Sequence, residues 1–294
     1  MQTLLVGVDG GASKCTVRIE DTQGQLLGEA MSGPANIRLS VEQTWHSIRT
    51  ALDAVLHPLG LSFEKDQARL QVGMGLAGSE VKEAYDAFLQ KAKGFRTLIV
   101  ASDAHTACLG AHNGNDGAVM IIGTGVIGLQ IEQAHISKVG GFGFPHDDRG
   151  GGAWLGMQAI HTTLCWLDGR SPASELAHRV YEKFNCHLDH LVTWANQANS
   201  TAFAELAPLV IEQANHGDAK AIQLMKTGAC AIDEVDKALR AKQIDQNTFL
   251  PCALVGGVAE FMQPYLGEAL RERLRPCQLP PVSGAILLLR EKIK

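Results

Sequence analysis

The chain has 294 residues, and 46% of them are hydrophobic. A single core stops growing at roughly 250–300 residues, so this length favours two domains, each with its own core. The net charge of -5 comes without a basic cluster, which argues against nucleic acid or an anionic membrane surface as a partner.

The apolar segments are short. The opening MQTLLVGVDGG has its apolar run interrupted by Asp9 and has no basic region before it, so we expect no secretory signal. The longest apolar stretch, residues 118–131, contains three glycines and falls short of the roughly 20 residues of a membrane helix. Seven dispersed cysteines without a C-x-x-C pair are typical of reduced thiols. We therefore expect a cytoplasmic protein with no membrane contact and no cysteine-bound metal.

The first half of the chain alternates strand and helix patterns. In chain order these patterns predict strands at 4–8, 15–20 and 25–31, a helix at 41–56, a strand at 70–74, a helix at 81–93, a strand at 97–101 and a helix at 103–112. Ser79 is the predicted N-cap of the helix at 81–93. The half therefore has the order βββαβαβα.

The second half repeats this opening. It predicts strands at 118–122, 126–130 and 136–139, helices between 154 and 239, a strand at 250–255, a helix at 259–274 and a closing helix at 282–290. Both halves begin with a glycine-rich turn inside three strands, so we predict an α/β protein of two duplicated βββαβαβα units rather than one doubly wound sheet. The linker-like residues 113–117 place the domains at 1–113 and 114–281, with the closing helix packing back onto the first.

The turn after the first strand has the composition of an anion site. Asp9-Gly-Gly-Ala-Ser13-Lys14 offers backbone N–H groups without side chains in the way, and Ser13 adds a hydroxyl donor. Asp9 suits a hydrated Mg²⁺, which binds through one or two carboxylates and phosphates. An ordinary hairpin remains the alternative.

Two matches to the dinucleotide motif G-x-G-x-x-G occur, at 73–78 and 123–128. The first lacks an acidic residue at a strand end about 20 residues later, and the second is followed by a strand instead of a helix. The P-loop motif is absent. Nicotinamide binding and a P-loop enzyme are therefore disfavoured.

Three further segments are candidates for ligand contacts. Asp103 follows a buried strand, where side chains face the crevice of an α/β sheet, although it could also cap the next helix. Residues 140–152 are the most glycine-dense segment, which favours a binding loop over a merely flexible one. Gly256-Gly257 end a strand before a helix, which suits either a nucleotide or a close packing turn.

Taken together in chain order, the glycine-rich turns and Asp103 resemble the motifs of the sugar kinase/actin/heat-shock ATPase superfamily. Within it, the chain resembles the BadF/BadG/BcrA/BcrD ATPase family over nearly its full length. The resemblance implies two actin-like, ribonuclease H-like lobes with a nucleotide cleft between them. It also implies roles for single residues: phosphate contacts for Asp9, Gly10, Gly11, Ser13, Lys14, Thr124 and Gly125, adenosine contacts for Gly256 and Gly257, the general base for Asp103, and sugar contacts for Asn36, Phe142 and Asp148.

Departures from relatives refine this resemblance. Phe142 replaces the usual tryptophan of the G-G-W-G sugar loop, and Arg149 stands where an acidic residue is expected. The C-x-C-G-x-x-G-C zinc motif of other bacterial sugar kinases is absent. Met120 occupies the cysteine position of the activating ATPases, whose iron–sulfur cluster needs thiolates, which argues against a redox activator.

The resemblance implies transfer of the γ-phosphoryl group of Mg-ATP to the 6-hydroxyl of an amino sugar, glucosamine or N-acetylglucosamine. Asp9 would orient the waters of Mg²⁺, and Asp103 would accept the hydroxyl proton. The alternatives are a regulatory or activator ATPase of the BadF type without sugar-kinase activity, and a sugar-binding regulator without turnover. Relatives are often homodimers, and the oligomeric state rests on the resemblance alone.

Overall fold

A computed structural model describes residues 3–293, which divide into two compact units. Unit 1 comprises the described residues up to Gly117 together with those from Pro276, and unit 2 comprises Ala118–Arg275. The domain limits drawn from the sequence, 1–113 and 114–281, stay a prediction.

Unit 1 is built on a five-stranded sheet in the order β3-β2-β1-β4-β5. Its elements are β1 (Leu4–Gly10), β2 (Cys15–Glu20), β3 (Leu26–Ser32), α1 (Val41–Leu56), α2 (Phe63–Asp66), β4 (Leu70–Leu76), α3 (Lys82–Lys91), β5 (Thr97–Ala101), α4 (Asp103–Ala111) and, after unit 2, α13 (Pro281–Lys292). Strands β1, β2 and β3 are antiparallel neighbours, whereas β1, β4 and β5 run parallel. The predicted bounds of β2, α1 and β5 are confirmed.

Two helices of unit 1 begin in different ways. Ser40 caps α1 by accepting a hydrogen bond from the Gln43 N–H (3.1 Å), and the face carrying Trp45 is buried in the core. The predicted cap of α3 at Ser79 is wrong. The N-cap position of α3 is Val81, whose side chain makes no capping hydrogen bond. Ser79 lies in the preceding turn, where its N–H donates to the Leu76 carbonyl (3.3 Å).

Helix α13 packs against β1, β4 and α4 through glycines. A Cβ on Gly7 or on Gly73 would overlap backbone carbonyls of α13, and a Cβ on Gly284 would overlap the Thr106 carbonyl of α4. Backbones this close leave no room for a side chain. The position of α4, whose first residue is Asp103, therefore depends on α13.

Gly284→Ala is expected to lower the free energy of unfolding by about 1–3 kcal/mol, because the added methyl must push α13 away from α4. Thermal unfolding followed by circular dichroism measures the effect. Glu291→Ala, on an exposed position of the same helix, is the control and should change stability by less than about 0.5 kcal/mol. Equal melting temperatures for the two variants would contradict the packing argument.

Unit 2 is built on a four-stranded sheet in the order β8-β7-β6-β9, in which β6 and β9 run parallel. Its elements are β6 (Gly117–Ile122), β7 (Val126–Glu132), β8 (His135–Gly140), α5 (Gly152–Leu167), α6 (Glu175–Lys183), α7 (Leu188–Gln197), α8 (Ser200–Ala204), α9 (Ala207–Asn215), α10 (Ala219–Arg240), β9 (Cys252–Val255), α11 (Ala259–Met262) and α12 (Glu268–Arg273). Within residues 3–293, no helix combines the length and apolar character needed to cross a membrane.

The helix predicted over 259–274 is wrong in its continuity. Helix α11 ends at Met262, a 3₁₀ turn covers Gln263–Tyr265, and α12 begins only at Glu268. Pro264 explains the break, because it has no N–H for the helix and its ring clashes with the preceding turn.

The duplication is shorter in unit 2 than in unit 1. Where unit 1 has β5, the described part of unit 2 has a single parallel bridge between Cys252 and Leu274, and the Arg275 N–H donates to the Cys252 carbonyl (2.8 Å). Pro276 follows directly and cannot donate to a strand ladder, so the pairing stops there.

A buried ion pair joins α10 to α12. Asp236 is 1% exposed and Arg273 is 5% exposed, and the Arg273 guanidinium donates to both the Asp236 carboxylate and the Leu250 carbonyl (2.9 Å). Arg240, one turn further along α10, donates to the other oxygen of Asp236 (2.9 Å). The Asp236 carboxylate thus fixes α12 and the segment before β9 to the long helix α10.

Candidate active-site residues

In unit 1, the predicted base and the predicted metal-orienting acid lie at the same edge of the sheet. Asp9 on β1 is in register with Gly75 on β4, which is in register with Ala101 at the end of β5. Asp103 follows two residues later. Because these strands are parallel, their carboxyl ends meet at one edge, the usual ligand-binding edge of an α/β sheet.

The glycine turn of unit 1 lies next to the predicted sugar-binding asparagine. The Gly11 N–H donates to the Lys14 carbonyl (2.9 Å), which closes the turn, and the Gly11 carbonyl accepts from the Ala35 N–H (2.9 Å). Asn36 forms a bridge with Ala77 after β4. The structure therefore brings Asp9, Gly10, Gly11, Ser13, Lys14, Asn36 and Asp103 together, with Ser13 and Lys14 exposed.

The surroundings of Asp9 disfavour its ionised form. Burial and the nearby charge of Asp103 raise its pKa to about 6, partly offset by Lys14. The same surroundings raise the pKa of the buried Cys15 thiol to about 12, chiefly through burial and then through Asp9. Cys15 is therefore an inert neighbour of the site.

Asp103 does not act as the cap of α4. Ser102 is the cap, its hydroxyl accepting from the His105 N–H (3.2 Å), whereas Asp103 is the first helical residue and accepts from the Ala104 N–H (2.9 Å). The capping role considered for Asp103 from the sequence thus belongs to Ser102.

The motif at 73–78, which resembles a dinucleotide loop, has a packing role. Gly73 faces α13, and a Cβ on Gly75 would overlap Thr106 of α4. Gly78 has a positive φ of 81° in the turn beside Asn36. Three glycines thus let the helices that support Asp103, and the segment that carries Asn36, approach β4.

In unit 2, residues 123–125 form a tight turn, called here the phosphate turn after its predicted role. The Gly123 N–H donates to the Gly125 carbonyl (2.9 Å). The first turn of α5 donates to the same segment, Gly152 N–H to the Gly123 carbonyl (2.8 Å) and Ala153 N–H to the Thr124 carbonyl (3.0 Å). The N–H groups at the start of α5 thus bind the carbonyls of Gly123 and Thr124, and these hydrogen bonds fix the conformation of the phosphate turn.

The predicted adenosine motif lies beside the phosphate turn. Gly256 has a φ of 107°, and a Cβ there would overlap the Ile122 carbonyl at the end of β6. The same carbonyl accepts from the Val258 N–H (3.0 Å), and nothing lies within 4 Å of where a Cβ of Gly257 would be. Thr124, Gly125, Gly256 and Gly257 therefore meet at the carboxyl ends of β6 and β9.

The loop of residues 140–149, called here the sugar loop after its predicted role, follows β8. Phe142 is 82% exposed, and its N–H donates to the Asp147 carboxylate (3.0 Å). Asp148 is only 8% exposed and accepts from the Val126 N–H (3.1 Å). An exposed ring on a braced loop can stack on a sugar, whereas the described contacts of Asp148 point to the phosphate turn.

A cavity of about 290 Å³ lies between the sugar loop and α10. Its walls include Phe142, Asp147 and Arg149 from the loop, with Glu234 and Val235 from α10. The two α10 residues are not among the candidates that the sequence indicates. They lie on an ordinary amphipathic helix, and no local signal marks them as neighbours of a loop almost a hundred residues away.

The unit 1 acids suit Mg²⁺. No group of three or more metal-binding side chains occurs among residues 3–293, whereas Mg²⁺ bound with a nucleotide needs only one or two carboxylates plus phosphates and waters. A divalent cation beside Asp9 and Asp103 would also relieve the repulsion that raises the pKa of Asp9.

Comparison with known proteins places the chain in a family. Residues 6–288 match the BadF/BadG/BcrA/BcrD ATPase family, so the chain belongs to that family. Its two-sheet α/β architecture is that of the actin-like sugar kinases.

Two curated relatives and one solved structure show the range of similarity. The glucosamine kinase GspK of Vibrio cholerae is 36% identical, over 96% of this chain and 94% of the relative. An N-acetylmuramic acid/N-acetylglucosamine kinase of Clostridium acetobutylicum is 26% identical, over 92% and 90%. A structure from Chromobacterium violaceum, assigned as an N-acetylglucosamine kinase, has 31% identity and a TM-score of 0.91, covering 98% and 99% of the two chains.

Proposed function

We propose that this protein is an ATP-dependent kinase that phosphorylates the 6-hydroxyl of an amino sugar, glucosamine or N-acetylglucosamine. The observation that carries the proposal is the placement of Asp9 and Asp103 at one sheet edge, beside a glycine turn and Asn36. The relatives, which are named as glucosamine, N-acetylglucosamine and N-acetylmuramic acid kinases, support the substrate class.

Asp103 is the proposed general base. A sugar hydroxyl is a poor nucleophile at neutral pH, and a carboxylate can take its proton as the new oxygen–phosphorus bond forms and ADP leaves. Asn36 and Phe142 are the proposed sugar contacts, one through its amide and the other through its ring face. Asp148 is a third predicted sugar contact.

Gly10, Gly11, Ser13 and Lys14 are the phosphate contacts proposed in unit 1, and Thr124 and Gly125 are those proposed in unit 2. Gly256 and Gly257 are proposed to receive the adenosine. Bound Mg²⁺ would neutralise charge on the phosphates, and Asp9 is the residue that would hold its waters. Most of the remaining catalysis is then positioning and electrostatic stabilisation.

ADP release over a panel of hexoses and hexosamines tests the function. We expect turnover with glucosamine or N-acetylglucosamine, and phosphorus NMR of the product should show a 6-phosphate. ATP hydrolysis that no sugar stimulates would contradict the proposal and favour the regulatory or activator ATPase. Sugar binding without ADP release would instead favour a regulator.

Binding of Mg-ATP is expected to weaken as the pH falls below about 6, roughly tenfold per pH unit, because Asp9 must be ionised to hold the metal's waters. Calorimetry with a non-hydrolysable ATP analogue and Mg²⁺ between pH 5 and 7.5 measures this.

The raised pKa of Asp9 also makes the stability of the folded protein depend on pH, in the opposite direction to nucleotide binding. The contribution of Asp9 to the free energy of unfolding is fully present below about 3.8, the pKa of this group in the unfolded chain. It is lost as the pH rises through about 6, its pKa in the folded protein.

Asp9→Asn is the control for this pH dependence. The variant should bind Mg-ATP weakly, with only the titration of the nucleotide itself remaining. A wild-type affinity that follows the same pH profile as Asp9→Asn would remove Asp9 from the metal-orienting role.

Oligomeric state and location are also proposals. Homodimer formation is proposed from the family resemblance, and light scattering after size exclusion measures it. A cytoplasmic location is proposed from the sequence, and fractionation of cells expressing a tagged chain tests it.

A further inference from the structure

One carboxylate in the wall of the cavity beside the sugar loop has no role in holding the fold together. Glu234 on α10 is exposed, and no hydrogen bond or ion pair engages its carboxylate within residues 3–293. Its acidic neighbours on the same helix both have partners. Asp233 accepts from the Gly267 N–H (2.9 Å), and Asp236 forms the buried ion pair described above. Glu234 is therefore available to a ligand that enters the cavity.

The helix that carries Glu234 is packed firmly beside the cavity. A Cβ on Gly128 of β7 would lie 3.0 Å from the side chain of Val235, and a Cβ on Gly140 of β8 would lie 3.8 Å from it. Ala231, one turn earlier, is 8% exposed and also lines the cavity. A site built on a helix is placed more precisely than one built on a loop. The fold therefore fixes the side of the cavity from which Glu234 reaches a ligand.

The charges in the cavity wall favour a cation. Three carboxylates, those of Asp147, Asp148 and Glu234, line the cavity against one guanidinium group, that of Arg149. Asp147 and Asp148 already accept hydrogen bonds from backbone N–H groups, whereas Glu234 does not. A hydrogen bond between an ammonium and a carboxylate is roughly twice as strong as one between neutral groups. Glu234 is thus the carboxylate that an ammonium group would engage.

The geometry of a hexose decides which of its groups can face α10. In the pyranose ring, the carbon that carries the 2-substituent lies opposite the carbon that carries the 6-hydroxymethyl group. A sugar whose 6-hydroxyl lies at the phosphates therefore holds its 2-substituent at the far end of the ring. Val126 and Asp148 line the cavity next to the phosphate turn, whereas Glu234 lines it from α10. Glu234 is thus placed for the 2-substituent and not for the reacting hydroxyl.

Volume does not distinguish the two candidate amino sugars. The cavity of about 290 Å³ holds roughly ten times the volume of one water molecule in the liquid, about 30 Å³. An acetamido group therefore fits as well as an ammonium group does, and the difference that remains is charge. The amine of glucosamine lies between oxygen-bearing carbons, which brings its pKa near that of an α-amino group, about 8. It is a cation at neutral pH, whereas the acetamido group is neutral.

We propose that Glu234 is a specificity-determining residue whose carboxylate binds the ammonium group of the sugar, so that the protein takes glucosamine in preference to N-acetylglucosamine. This inference rests on the proposed function and deepens it, because it decides between the two amino sugars. The ammonium group donates to the Glu234 carboxylate, and the Arg149 guanidinium is left to donate to sugar hydroxyls. Acetylation of the nitrogen, or a hydroxyl in its place, leaves Glu234 without a cation.

Steady-state kinetics with three sugars separates the effect of charge from the effect of size. Glucose has a hydroxyl in place of the ammonium group and nearly the same size, whereas N-acetylglucosamine adds the acetyl group. The ratio of kcat/KM for glucosamine to kcat/KM for glucose, called here the charge ratio, reports the charge alone, because the nucleotide and the base are common to both reactions. In the wild type, the charge ratio should be at least about ten, and glucosamine should be a better substrate than N-acetylglucosamine.

Glu234→Gln keeps the size of the side chain and removes its charge. The charge ratio should fall at least about fivefold, through a higher KM for glucosamine, because the contact is made equally in the ground state and the transition state. Glu234→Asp keeps the charge and should retain most of the preference. Glu212→Gln, at an exposed position on α9 of the same unit, is the matched control and should keep the wild-type charge ratio.

The pH dependence of the charge ratio gives a second measurement. The charged groups that face Glu234 across the cavity are Asp147, Asp148 and Arg149, and the wall residues from β7 and β8 are uncharged. Carboxylates and guanidinium groups do not titrate between pH 7 and 9, whereas the amine of glucosamine loses its charge there. The wild-type charge ratio should therefore fall at least about threefold from pH 7 to 9, and the ratio of Glu234→Gln should change less.

Three results would overturn the proposal. They are a wild-type preference for N-acetylglucosamine over glucosamine, a charge ratio that Glu234→Gln leaves unchanged, and a wild-type charge ratio that does not depend on pH. Each of them is obtained with an active sugar kinase. Failure of the proposed function is distinguishable, because the wild type would then phosphorylate none of the three sugars, and the assignment of Glu234 would fall with it.

Discussion

Asp103→Asn is expected to lower kcat by about 10²–10⁴-fold while the affinities for sugar and ATP are largely kept. Asparagine fills the same space at the start of α4 and can still accept from the Ala104 N–H, but it cannot take the proton of a sugar hydroxyl. Steady-state kinetics with the preferred amino sugar, together with calorimetric Kd values, separates the loss in chemistry from any loss in binding.

Asp86→Asn is the matched control for this prediction. It makes the same chemical change at an exposed position on α3, where Asp86 pairs with Lys82 (2.8 Å) at the surface. Its kcat should equal that of the wild type. Near-normal turnover by Asp103→Asn would remove Asp103 from the base role, even if the protein proved to be a sugar kinase.

Asp236→Ala is expected to lower the free energy of unfolding by about 3–5 kcal/mol. The substitution leaves the Arg273 guanidinium, 5% exposed, without its carboxylate, and an uncompensated buried charge is costly. For a domain of this size, such a loss lowers the melting temperature by about 10 °C. Calorimetry or circular dichroism measures it.

Arg240→Ala provides the comparison within the same cluster. Its side chain is 38% exposed, and its removal leaves the pair between Asp236 and Arg273 intact, so the expected loss is at most about 1 kcal/mol. Similar losses for the two variants would show that the buried pair contributes no more than a surface contact.

The periodic parts of the fold were predictable from the sequence. The helix over 41–56 and the strands at 15–20 and 97–101 have the predicted bounds. In each of them the apolar spacing and the flanking polar residues indicate the same first and last residue. The region 259–274 kept a helical apolar pattern through Pro264, and there the backbone constraint of proline outweighed the periodicity.

The site was predictable as a set of residue types but not as a set of contacts. Asp9 and Asp103 stand out by their position at the ends of predicted strands, and Asn36 by the family resemblance. The structure places all three at one sheet edge. The partners of Gly73 and Gly75 are on helices distant in sequence, so no local pattern separates these packing glycines from a nucleotide loop. Glu234 was missed for the same reason.

The return of α13 to unit 1 sets an order for biosynthesis. Unit 2 is one uninterrupted stretch, so a ribosome delivers it whole before it delivers residues 281–292. Until that helix emerges, the glycine surfaces of β1 and β4 have no cover and α4 lacks its support. Unit 1, whose synthesis starts first, is therefore completed last. A chain cut short before Pro281 lacks α13 and leaves Asp103 on a helix without this packing partner.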